Sequence, residues 1–140
     1  NLELNIPAFK QAAAAIANGG YLMKPILVKR VEDAEGRLVK ETKPLVVRRV
    51  LTPETVDTLS EILRTVVTEG TGRKAAVPGY VVAGKTGTAQ KIDASGRYSM
   101  VDHVASFVGF VPTSRPALVI LASLDGPRVV ANQGGDVAAQ

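Results

Sequence analysis

Val81-Val82-Ala83-Gly84-Lys85-Thr86-Gly87-Thr88-Ala89-Gln90 opens the part of the chain that reads as sheet. Residues 81–90, 104–111 and 117–124 all have the β-branched, aromatic and apolar content of strands. Short connections separate them, which predicts an antiparallel meander. Residues 91–102, with Asp93, Ser95, Gly96 and Tyr98, are polar enough for an exposed loop between the first two strands.

Working outward, the clearest helix begins at Thr52-Pro53-Glu54. Threonine suits the cap, proline presets the first turn, and glutamate favours the positive end of the helix dipole. Val56, Leu59, Leu63, Val66 and Val67 form its apolar stripe, which needs a sheet to lie on, and Gly70 ends it. A shorter helix follows Pro7, with Phe9, Ala13, Ile16 and Ala17 on one face and Asn18-Gly19-Gly20 at its end. Residues 25–31 and 38–40 read as a hairpin around Asp33-Ala34-Glu35-Gly36. The fold class expected is α+β, an antiparallel sheet with flanking helices.

Composition excludes several functions. With 46% hydrophobic residues and ordinary charge the chain is globular, and its longest apolar run, 117–122, is too short to cross a bilayer. There is no cysteine and one histidine, which leaves no thiolate metal site and makes no case for zinc or another cofactor. The net charge of +4 sits in small groups (Lys29-Arg30, Arg48-Arg49, Arg73-Lys74) without interleaved aromatics, so no nucleic-acid partner is expected.

Lys85, Thr86, Gly87 and Thr88 carry the chemistry. Glycine lets a ligand lie close to the backbone, while an ammonium and two hydroxyls nearby suit a carboxylate. Unpaired N–H groups on such a strand also suit a substrate amide or a tetrahedral oxyanion. Strict alternation sets Thr86 and Thr88 on one face and Lys85 on the other, so the three converge only on a twisted edge strand. A Lys-Thr-Gly triplet alone also fits an ordinary strand entering a turn. No nucleophile accompanies it: Ser60, Ser95, Ser99, Ser106, Ser114 and Ser123 are followed three residues on by Leu63, Tyr98, Asp102, Gly109, Ala117 and Gly126, never by lysine.

Context narrows the reading. The long helix, Gly70-Thr71-Gly72, Pro78-Gly79-Tyr80, residues 83–90, Ala105-Ser106-Phe107-Val108-Gly109-Phe110-Val111-Pro112 and Gly134-Gly135-Asp136-Val137-Ala138-Ala139 occur in that order. Together they resemble the C-terminal part of a class B penicillin-binding protein, a peptidoglycan D,D-transpeptidase. That resemblance spans nearly the whole chain and implies the serine β-lactamase/D,D-transpeptidase-like fold. Residues 1–140 would be the C-terminal portion of the transpeptidase domain, with the Ser-x-x-Lys and Ser-x-Asn motifs, the first strand and the last helix outside them.

By that resemblance Lys85 and Thr88 are the catalytic candidates, Lys85 lending positive charge and Thr88 its backbone N–H to the oxyanion hole. Thr86, Gly87 and Thr88 would bind the carboxylate of the substrate or of a β-lactam. Implied partners are the D-Ala-D-Ala end of a stem peptide, β-lactams, the other half of the domain, and division or elongation proteins. The whole protein would be membrane-anchored and work on the extracytoplasmic face, and this segment alone would be inactive. Two other readings are a non-catalytic binding module and a β-lactamase or β-lactam sensor relative. His103 reads as a partly buried structural histidine, Tyr98 as packing on its own loop, and at least one of Phe107 and Phe110 as core.

Overall fold

A computed structural model describes residues 6–128 and 133–140 of the 140. In chain order the elements are α1 (Ile6–Ala17), β1 (Tyr21–Met23), β2 (Arg30–Glu32), β3 (Leu38–Glu41), β4 (Val46–Arg49), α2 (Pro53–Thr68), β5 (Ala83–Ile92), β6 (Tyr98–Val111), β7 (Leu118–Asp125) and α3 (Gly134–Val137). The sheet is the expected antiparallel meander, ordered β5-β6-β7, so among the described residues β5 has a strand neighbour on one side only.

Register assigns the faces. Thr86 lies opposite Phe107, which lies opposite Ala122, and Gly84 lies opposite Gly109. Those two glycines leave room for the Phe107 ring: a Cβ at Gly84 would stand 2.4 Å from its tip. On this face Phe107 packs with Val67, Ala138 and Ala139. The opposite face carries Val108 and Phe110, and there α1 packs against β6 and β7. Phe107 and Phe110 are therefore both core, one on each face.

Helix α2 packs against β5, and its start is the expected one: the Thr52 hydroxyl accepts from the Thr55 N–H at 3.3 Å, with proline in the first turn. Of its apolar stripe Val67 is buried and the other four members are half-buried. Beyond Gly70 the chain turns back, and the Gly72 N–H reaches the Val66 carbonyl at 2.9 Å.

Two expectations need correction. Residues 25–31 are not a continuous strand, since only its end lies in β2. A prolonged two-stranded arm forms instead, β1 pairing with β4 and β2 with β3. The ladders break where Pro25 and Pro44 stand on its two sides, because proline has no N–H to give. The predicted loop over 91–102 is also too long. β5 continues to Ile92 and β6 starts at Tyr98, leaving a five-residue turn.

That turn is built twice. Asp33-Ala34-Glu35-Gly36-Arg37 and Asp93-Ala94-Ser95-Gly96-Arg97 share the pattern Asp-Ala-x-Gly-Arg. In each the aspartate carboxylate accepts the N–H groups two and four residues on, and the glycine takes a φ of +79°. That backbone is costly for any residue with a Cβ.

Candidate active site strand

Lys85, Thr86, Gly87 and Thr88 fall in the middle of β5, opposite Val108, Phe107, Ser106 and Ala105. Alternation divides them as the sequence requires: Thr86 and Thr88 share the face of Phe107, and Lys85 points with Gly87 to the face of Val108. The Lys85 ammonium bends back along the strand and donates to the Thr86 carbonyl at 2.6 Å.

Gly87 is enclosed from both sides of the sheet. On one face a Cβ there would stand 2.5 Å from the Ser106 hydroxyl, which donates to the Gly87 carbonyl at 3.4 Å. Gly134 lies close above the same backbone, where its own Cβ would meet the carbonyls of Gly87 and Ser106 at 2.3 Å each. Ser106 has no exposed surface at all.

Both threonine hydroxyls have partners. Thr88 Oγ1 accepts the Gly134 N–H at 3.0 Å, and Thr86 Oγ1 lies 2.8 Å from Thr71 Oγ1. Thr71 belongs to the loop after α2, and Gly135 lies against both threonines: its Cβ would meet the Thr71 carbonyl at 2.0 Å and the Thr86 methyl at 3.4 Å. Sequence reasoning missed Thr71, Ser106 and Gly134 as neighbours of the strand, although each stands in a segment quoted above. Their long-range pairing had no local signal.

The residues set aside stay aside. His103 is half-buried on β6 opposite Gln90, its Nδ1 lying 3.2 Å from the Val101 carbonyl. Tyr98 is exposed and lies opposite Ile92 at the hairpin end. At that end Lys91 pairs with Asp125 at 2.8 Å, which holds the lysine pKa above its usual value through the hydrogen bond and the opposite charge. Among the described residues no cluster of three histidine or acidic side chains stands ready for a metal, and no helix is long and apolar enough to cross a membrane.

An antiparallel sheet flanked by helices, with Lys-Thr-Gly-Thr on an outer strand, places the chain in the serine β-lactamase/D,D-transpeptidase class of folds. Within that class the chain belongs to the penicillin-binding protein transpeptidase family, whose domain matches residues 7–140. It is 41% identical over 129 residues to stage V sporulation protein D of Bacillus subtilis, covering 91% of this chain and 20% of that protein. With the probable peptidoglycan D,D-transpeptidase PenA of Neisseria gonorrhoeae it shares 33% identity over 140 residues, covering 98% of this chain and 22% of the relative. The imipenem acyl-enzyme of penicillin-binding protein A from Mycobacterium tuberculosis superposes with a TM-score of 0.78 at 26% identity, covering 97% of this chain and 29% of that one. The chain thus spans about a fifth of the length of these two relatives.

Proposed function

We propose that this segment supplies the Lys-Thr-Gly strand of a peptidoglycan D,D-transpeptidase whose serine nucleophile lies elsewhere in the full-length protein. The observation that carries the reading is the position of Lys85–Thr88 on a strand with one strand neighbour among the described residues, in a member of the transpeptidase family. A serine oxygen attacks the penultimate D-alanine carbonyl of a stem peptide, D-alanine leaves, and the acyl group passes to the amine of a neighbouring peptide. Thr86 and Thr88 receive the terminal carboxylate through their hydroxyls, Gly87 allows its close approach, and the Thr88 N–H faces the oxyanion. Lys85 adds positive charge where negative charge develops.

A β-lactam carries a carboxylate beside an acylating carbonyl and enters the same site, consistent with a structural relative solved as an imipenem acyl-enzyme. Working on peptidoglycan places the full-length protein at the extracytoplasmic face of the membrane, where division or elongation proteins would direct it. Fluorescent penicillin followed by intact-mass measurement tests the reading. The full-length protein should gain one adduct, and Lys85→Ala should slow acylation by at least about 10²-fold. The 140-residue chain should stay at 14.7 kDa. An adduct on it would make one of its six serines the nucleophile and overturn the assignment.

A further inference from the structure

A carboxylate can only accept hydrogen bonds, so a threonine that binds one must have its single hydroxyl proton free to point at it. What stands behind each hydroxyl therefore decides whether it is ready. Behind Thr88 stands the Gly134 N–H, which can only donate. Its bond occupies a lone pair of Thr88 Oγ1 and leaves the proton available. Behind Thr86 stands Thr71 Oγ1 at 2.8 Å, a group able to play either part.

We propose that Thr71 is a positioning residue for carboxylate recognition: it donates to Thr86 Oγ1 when a carboxylate is bound, so that the Thr86 proton turns outward as the Thr88 proton does. Gly70-Thr71-Gly72 and Gly134-Gly135 then form one cradle behind the two hydroxyls. The close packing of Gly135 against the Thr71 carbonyl and the Thr86 methyl keeps the two threonines in register. This assignment gives the Gly-Thr-Gly loop a task and rests on the reading of Thr86 and Thr88 as the carboxylate site.

The test is penicillin acylation of the full-length protein, resolved into the Kd of the non-covalent complex and the rate constant of the covalent step. Thr71→Val keeps the shape and removes the hydroxyl, and it should weaken Kd by about 3- to 10-fold with a much smaller effect on the covalent step. Thr71→Ser, which restores the donor, should return Kd to within about two-fold of the unaltered protein. If Thr71→Val lowers the melting temperature, Thr71→Ala takes its place in the same comparison. Unchanged Kd in Thr71→Val beside a weakened Thr86→Val overturns the cradle and leaves the carboxylate site standing. A loss that serine does not restore makes Thr71 a packing residue and also overturns it. Unchanged Kd in Thr71→Val, Thr86→Val and Thr88→Val alike removes the carboxylate site itself.

Discussion

Gly87 shows how a single missing side chain sets a strand. Besides the room read there for a ligand, Gly87 makes room within its own sheet: a Cβ would strike the Ser106 hydroxyl, 2.5 Å away on the next strand, while the Ser106 Cβ lies at an easy 3.9 Å. The conflict is with one oxygen atom. Gly87→Ala should therefore destabilise the fold by about 1–3 kcal/mol, the usual cost of overpacking. Adding Ser106→Ala should recover most of that loss, because it deletes the clashing atom. Denaturant unfolding of the two single variants and the double checks this: strictly additive losses would show that the clash is elsewhere.

At the scale of elements, the repeated Asp-Ala-x-Gly-Arg turn makes a pH prediction. Asp93 has its pKa lowered first by the Ser95 hydroxyl and then by the Arg97 and Ser95 N–H groups. A carboxyl whose folded pKa is depressed contributes stability above its unfolded value, about 3.9 for aspartate, and loses it as pH falls through the lower folded value. Asp33, lowered chiefly by the Arg37 N–H and guanidinium, follows the same sign. Acidification below about pH 4 should thus loosen both turns before the sheet. Protection of the Ser95 and Arg97 amides, taken relative to the intrinsic exchange rate at each pH, should fall there, and Asp93→Asn should flatten that response. Protection factors that stay the same between neutral and acid conditions would count against the carboxylate as the turn's clasp.

The same elements show what was legible. Helix α2 was readable from end to end because its cap, proline and stripe are local signals, and Thr52→Ala should cost about 1 kcal/mol in thermal or denaturant unfolding. The three sheet strands were readable by content, though β5 and β6 run further than expected because the turn between them needs only five residues. β1 and β4 were missed: Tyr21–Met23 is three residues long, and its partner lies beyond the hairpin that separates them. The strand of the candidate site was legible as Lys85–Thr88. Its supports, Thr71, Ser106 and Gly134, come from three distant segments and were not.

Over the whole molecule, apolar surface is unevenly covered. Leu118, Ile120 and Leu124 alternate along β7 on the Phe107 face, and all three are exposed, Ile120 by 60%. β7, like β5, has a strand on one side only among the described residues. An apolar row on an outer strand is a template for pairing with another chain, and charge on such a strand is what prevents it. The 140-residue chain should therefore self-associate as concentration rises, and Ile120→Lys should suppress this without loss of helix or sheet signal. Light scattering across a concentration series, with circular dichroism on the same samples, decides it. The arm from β1 to β4 is the competing surface, with Leu27 fully exposed and Val28, Leu38 and Val39 more than half exposed. If Ile120→Lys leaves association intact while Leu27→Lys abolishes it, the arm rather than the β7 row is where two copies meet. A chain that stays monomeric throughout would show that neither apolar surface is large enough to drive association.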